Sequence, residues 1–368
     1  MSSYHQAVAN VSSEVKRFME ETFTKIEISG PELDPKSLNS TPLMLVSTHR
    51  SHVDYFLAGN IFHYRGFNTL RFAAGDNLTK LPWIGPRFTS FGAFTVERDT
   101  GFNRHYVRDL CFKVVDMIEK GETVLVFPEG GRSYSGAMLD IKIGILGASV
   151  ISQANNIDRD VHYIPVAVSY ESPPDLPWYA MQLKGKSWRK RSNILPKRLL
   201  GNLLYFGADI CAFVPFFFAR KFRKKYGAAF VDYGKPVSIR SIIDVLAKKA
   251  EKARDDFSAH RNAMQELSEI VHKQLIRLYR ILPAHVVASY LQKEGNGSRN
   301  ACRHYFTETI AKLESDGRNT TQLLLHSPEE NVEIGCKLLK RMKAIKVKND
   351  SIIIRNPALI SYYAATIT

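Results

Sequence analysis

"VSTHRSHVDYFLAG", residues 46–59, joins two apolar runs through two histidines, an arginine, a serine and an aspartate. The incoming run, "LMLVST" (43–48), reads as a buried strand, and the outgoing one as the start of a helix. His49 and Asp54 are five residues apart, a spacing that does not stack on one helical face. They can meet only if His49 lies in the loop and Asp54 in the first helical turn. There the carboxylate would hold the imidazole in one tautomer and stabilise its protonated form. The imidazole could then take a proton from an alcohol, general-base help worth ~10²–10⁴ in rate. His52 is an alternative base, but it lies only two residues from Asp54.

The same strand-into-polar-loop form recurs outward from this stretch. "LRFAAG" (70–75), "AFTVE" (93–97), "TVLVFPE" (123–129) and "HYIPVAVSY" (162–170) all have it, and helical patterns at 52–63, 102–120 and 142–154 separate most of them. Alternating strands and helices predict an α/β fold: a mixed, mostly parallel sheet flanked by helices. In such sheets the chemistry sits beyond the C-terminal strand ends, where each polar cluster here falls. "FVDYGKPVSI" (230–239) reads as one more strand and a turn. Val8, Val11, Val15, Phe18, Phe23 and Ile26 predict an amphipathic helix over 3–27. Beyond Ser241 the pattern is mostly helical, with a β-hairpin over 344–355 turning at Asn349-Asp350. The expected division is 1–40 as an N-terminal helical segment, 41–240 as the α/β domain, and 241–368 as a helical C-terminal region with the hairpin.

The chain has 368 residues, 45% of them hydrophobic, and a formal charge of +15. That charge calls for an anionic partner: nucleic acid, an acidic lipid surface, an acidic carrier protein or a phosphorylated substrate. The four cysteines are far apart, which argues against a disulfide framework or a cysteine zinc site and for a reducing cytoplasm. The first residues lack the order of a signal peptide. No H-E-x-x-H or other metal spacing occurs, so no metal is expected. "AMQLKGKS" (180–187) nearly spells a phosphate-binding loop, but Ala180 replaces its first glycine and no strand precedes it.

A second polar cluster, "FPEGGRS" (127–133), ends the strand at Pro128. Its glycines, Gly130 among them, let backbone N–H groups approach an anion. Arg132 offers a planar fork suited to phosphate, beside Glu129 and Ser133. The plainer alternative is a tight turn with a structural Glu129–Arg132 pair. "GAFTVERD" (92–99) supplies a third strand end, with Arg98. There is no G-x-S-x-G, and no cysteine near His49, so the attacking hydroxyl would belong to the substrate. That implies acyl transfer by a single displacement at the acyl carbon.

These blocks resemble, in content and in order, the glycerol-3-phosphate acyltransferase group of the glycerolipid acyltransferase superfamily, in its bacterial and mitochondrial type. "HRSHVD" resembles the first block, which makes His49 the base and Asp54 its orienter. "GAFTVERD" resembles the second, which implies that Arg98 holds the acceptor phosphate. "FPEGGRS" resembles the third, which implies Glu129, Gly130, Arg132 and Ser133 in the acceptor site. "YIPVAVSYE" resembles the fourth, with Pro165 shaping the substrate pocket. "YAMQLKG" (179–185) and "NPALISYYAATI" (356–367) are similar to later segments. The implied reaction is transfer of a fatty acyl group from an acyl thioester, acyl-CoA or acyl-ACP, to the 1-hydroxyl of glycerol 3-phosphate, the first step of phospholipid synthesis. No cofactor is implied.

Two departures reduce the positive charge of the acceptor site. Tyr134 stands where many members carry arginine, and Glu97 where a basic residue is common. Dihydroxyacetone phosphate or a lysophospholipid therefore remain alternative acceptors. Two readings of other kinds also stand: a lipid hydrolase using water at the same dyad, and an anion- or nucleic-acid-binding protein without catalysis, using 328–355 as a winged helix. Glu329, Glu330 and Glu333 count against the last of these.

Between the α/β and helical parts, residues 184–198 and 220–225 are basic clusters around an apolar, aromatic-rich run, 199–218. Asp209 makes a full span costly. The expectation is a segment lying in the interface of an anionic bilayer at the cytoplasmic face of a membrane, as at a bacterial inner membrane. A buried helical hairpin is the alternative.

Overall fold

The computed structural model describes residues 15–67, 70–79, 92–97, 104–156, 158–176, 226–242 and 260–367, with Ser13, Gly85, Pro86, Thr89 and Tyr179 besides. Strand β2 (Leu43–Ser47) is buried at all five positions, as a continuously apolar strand inside a parallel sheet should be. Its side chains alternate between two cores. Leu43 and Leu45 pack with Phe56, Leu57 and Phe62 of α1 (Asp54–Tyr64). Met44 and Val46 pack on the opposite face, with α2 (Arg104–Glu119), α3 (Ile143–Asn155) and α4 (Arg261–Leu278).

The other strands are β1 (Lys25–Ser29), β3 (Leu70–Gly75), β4 (Ala93–Val96), β5 (Thr123–Val126), β6 (His162–Tyr170), β7 (Ala228–Tyr233) and β8 (Val237–Ser238). The sheet runs β1-β7-β6-β2-β5-β3-β4, with β8 also on β6. The block from β6 to β4 is parallel throughout; β7 and β8 run antiparallel to β6. The sheet is thus mixed and mostly parallel, as expected. β2 and β5 are neighbours, yet the chain leaves β2 toward β3 on one side and β5 toward β6 on the other. Right-handed crossovers in opposite directions put α1 and α3 on opposite faces. The C-terminal ends of β2 and β5 mark the switch point, the place where α/β sheets bind ligands.

One expectation needs correction. Of the helix expected over 3–27, residues 3–12 and 14 lie outside the described residues; the described part runs through 15–22 and stops before Thr24, and Lys25–Ser29 is a strand parallel to β7. "KIEIS" alternates apolar and polar residues with period two, and that local pattern overrides the helical spacing that ended on Ile26.

The C-terminal region builds its own core from α5 (Pro283–Glu294), α6 (Arg299–Ser315), α7 (Pro328–Arg341) and α8 (Pro357–Ala364). The hairpin forms as β10 (Ile345–Lys348) and β11 (Ser351–Ile354), joined by β9 (Gly297–Ser298) on its far edge. Asn349 takes the left-handed conformation its turn requires, with φ of 52°. This core also takes in Leu176 and Tyr179, so it leans on the end of the sheet that carries the switch point. Among the described residues no helix is long and apolar enough to cross a membrane.

Candidate active site

Thr48 still pairs with β6, its N–H donating to the Val166 carbonyl at 3.0 Å, and the chain leaves the sheet at His49. His49 Nδ1 lies 2.9 Å from Asp54 Oδ2. Asp54 opens α1, and the same Oδ2 accepts the N–H groups of Arg50 at 2.6 Å and Ser51 at 2.8 Å. One carboxylate oxygen therefore folds the turn and orients the ring at once. Its other oxygen accepts the hydroxyl of Tyr170, at the end of β6. The imidazole stacks on Phe127, with centroids 4.3 Å apart, and meets the edge of Tyr55. Burial lowers the His49 pKa; Asp54 opposes that, while Arg132 and His52 add to it. Burial thus favours the neutral ring, and with Nδ1 engaged by Asp54, Nε2 is the nitrogen left to receive a proton.

The second loop braces the first. Glu129 Oε1 accepts the His49 N–H at 2.8 Å, and Oε2 accepts Leu139 N–H at 3.0 Å and Arg50 Nη1 at 3.3 Å. Ser133 donates its N–H to the His49 carbonyl at 3.0 Å and its hydroxyl to the Ala137 carbonyl at 2.6 Å. Both residues thus fix the backbone around His49 from inside. Gly130 lies exposed at the turn with φ of 69°, and a Cβ there would run into the side chain of Lys142. Lys142 is itself tethered, donating its N–H to the Pro128 carbonyl at 2.8 Å, so an ammonium overhangs the glycine turn.

Arg132 is buried and faces Asp175 Oδ2 at 3.4 Å, His52 Nδ1 at 2.7 Å and Tyr134 Oη at 3.4 Å. His52 is drawn to Asp175, not Asp54: its N–H donates to Asp175 Oδ2 at 2.7 Å, and Nδ1 lies 3.1 Å from Oδ1. Burial works against the Asp175 charge, but His52 and Arg132 hold its carboxyl well below the usual range. Pro165 sits within β6 opposite Val46, and its carbonyl accepts Gly234 N–H at 2.9 Å; it is buried in the sheet short of the C-terminal strand ends. Arg98 lies outside the described residues, as does the whole of 184–225. Sequence reasoning missed Tyr170, Asp175, Tyr179 and Lys142. Tyr179 donates to the Arg50 carbonyl at 2.6 Å from 129 positions away, a contact no local spacing announces. Among the described residues no three His, Cys, Asp or Glu side chains gather as a metal site would need.

Two polar loops are braced together at a sheet switch point, and one carries a buried His–Asp pair of the kind that can accept and return a proton. Residues 25–169, which hold both loops, match the family model described as Acyltransferase, and the resemblance read from the four blocks holds. More particularly, the glycerol-3-phosphate acyltransferase of Glaesserella parasuis serovar 5 (strain SH0165) is 28% identical over 240 residues, covering 65% of this chain and 27% of that protein. The glycerol-3-phosphate acyltransferase of Alteromonas mediterranea is 29% identical over 206 residues, 56% of this chain and 23% of that protein. The chain thus spans about a quarter of the length of these relatives. A crystal structure of the 1-acyl-sn-glycerophosphate (LPA) acyltransferase from Thermotoga maritima aligns with a TM-score of 0.39 at 17% identity, over 75% of this chain and 83% of that one.

Proposed function

We propose that this chain is an acyltransferase that moves a fatty acyl group from an acyl thioester to the 1-hydroxyl of glycerol 3-phosphate. The observation that carries this is the His49 Nδ1–Asp54 Oδ2 contact at 2.9 Å, set at the switch point of the sheet. Nε2 of His49 takes the proton of the 1-hydroxyl as its oxygen attacks the thioester carbonyl. The C–S bond then breaks, and the thiolate leaves with the proton from the imidazolium. Asp54 keeps the ring in the tautomer that presents Nε2 as acceptor and steadies the charge that forms on it.

The acceptor's phosphate is assigned to the exposed end of the second loop, at Gly130, beneath Lys142. Arg98, which the family resemblance assigns to the acceptor phosphate and which lies outside the described residues, is proposed as its second cation. Glu129, Arg132 and Ser133 support that site from within, since their described contacts face the protein. Dihydroxyacetone phosphate or a lysophospholipid is the second acceptor reading. It is favoured by Tyr134, whose hydroxyl lies against Arg132 where a further arginine would add charge. Acyl-CoA and acyl-ACP are the donors proposed, and the 184–225 segment is proposed to hold the enzyme on an anionic membrane surface.

The test is a donor screen with purified protein, offering acyl-CoA, acyl-carrier protein and acyl phosphate with glycerol 3-phosphate. Formation of 1-acylglycerol 3-phosphate supports the proposal. Thioester cleavage at an equal rate without acceptor marks a hydrolase instead. Sedimentation with anionic liposomes at low salt tests the membrane assignment, and a protein that stays in the supernatant overturns it.

A further inference from the structure

The Acyltransferase match ends at residue 169, yet a ring from well beyond it closes the back of the site. Tyr279 follows α4 and is buried, and Arg50 Cζ lies 5.0 Å from the centre of its ring. Arg50 is the residue after the base and is among the largest fully buried side chains of the fold. Its Nη1 reaches Glu129 Oε2 and the Ala137 carbonyl, at 3.3 and 3.1 Å. Its Nη2 faces the sulfur of Met138, at 3.7 Å, its Nε has no hydrogen-bond partner among the described residues, and the Tyr279 side chain itself interacts with the guanidinium. A guanidinium so poorly supplied with acceptors depends on the π face beside it, and a desolvated cation gains most from such a face.

We propose that Tyr279 is a positioning residue for the base: its ring holds the Arg50 guanidinium against Glu129, whose other oxygen fixes the His49 N–H. This rests on the reading of His49 as general base. The ring is itself well anchored. Tyr279 donates its N–H to the Leu275 carbonyl at 2.9 Å. Its neighbour Arg280 clamps β7 through Asp232, at 3.1 and 2.6 Å, and also pairs with Glu27 of β1. The C-terminal region thereby sets the geometry of a catalytic loop to which it contributes no reacting group.

Tyr279→Leu keeps the bulk and removes the π face. In the full chain it should lower kcat on the order of 10- to 100-fold, as small displacements of a catalytic group do. KM for both substrates should stay within about twofold, since no substrate contact is lost. Tyr279→Phe, which keeps the face, should restore most of the rate. The ring signals of His49 in NMR, assigned by their loss in His49→Ala, should move in Tyr279→Leu and return in Tyr279→Phe. A folded Tyr279→Leu with unchanged kcat and unmoved His49 signals overturns the proposal, as does a Phe variant as impaired as the Leu one. Should Tyr279→Leu fail to fold, Tyr279→Met is read by the same criteria. If His49→Ala keeps turnover, the base assignment fails instead. The NMR arm then still decides whether Tyr279 positions the loop.

Discussion

At the scale of single residues the account turns on a buried histidine whose basicity burial lowers. His49→Ala should abolish transfer at a modest cost in stability, because it removes a buried ring that stacks on Phe127 without touching the strands that build the sheet. Asp54→Asn should cost on the order of 10²–10⁴ in rate, through the wrong tautomer and the lost charge. The lowered His49 pKa fixes a sign. Activity needs the unprotonated ring, so the acid limb of kcat/KM should fall below the ordinary histidine value of about 6.5. A limb centred above that value would place the controlling group elsewhere. The two arginines should separate. Arg132→Ala leaves the buried Asp175 charge without its cation and should destabilise the fold by about 3–5 kcal/mol, seen in denaturant melts. Arg98→Ala should leave the melt unchanged and raise KM for glycerol 3-phosphate. The His49–Asp54 pair was legible because both members lie within one short turn. Asp175 and Tyr170 were not: they reach His52 and Asp54 from 123 and 116 positions away, and only the folded sheet brings them there.

At the scale of elements, strand and helix periods placed every strand of the parallel block and the three helices that follow them to within a few residues. They failed at β1, where five residues of period two adjoin a helical run. They were also silent on how the C-terminal helix α8 packs against the second loop. Gly136 marks that contact: its φ is 89°, and a Cβ there would clash with the Tyr362 backbone of α8. His285, in α5 behind Tyr279, gives a test of the same region. Burial lowers its pKa to about 3, with the charges of Arg318 and Arg50 adding to the effect. Its Nδ1 accepts the Leu282 N–H at 3.0 Å, which a neutral ring can do. Because the folded pKa lies below the unfolded one, near 6.5, this group favours the fold above pH 6.5. That contribution, on the order of 5 kcal/mol at full extent, is lost as pH falls from 6.5 toward 3. Unfolding free energy should therefore drop steeply over that window. His285→Gln should start less stable at neutral pH but show a flatter decline; an equally steep decline would remove His285 as the cause.

At the scale of the whole molecule, the α/β part carries the proposed base, His49, and its Glu129 brace, and the C-terminal region packs behind them through Tyr279. The formal charge of +15 has its densest clusters in 184–225, outside the described residues, where the proposed membrane contact belongs. Order and content of the four blocks made the class legible from sequence. The division of labour between the two parts was not, because it depends on contacts such as Arg50 with Tyr279, 229 positions apart. One measurement bears most directly on the central claim: conversion of labelled glycerol 3-phosphate into solvent-extractable product, with an acyl thioester, by wild-type protein and by His49→Ala of verified fold. The account predicts 1-acylglycerol 3-phosphate from the wild type and none above background from the variant. Product from His49→Ala at a near-wild-type rate, or thioester cleavage by the wild type that ignores the acceptor, would contradict it.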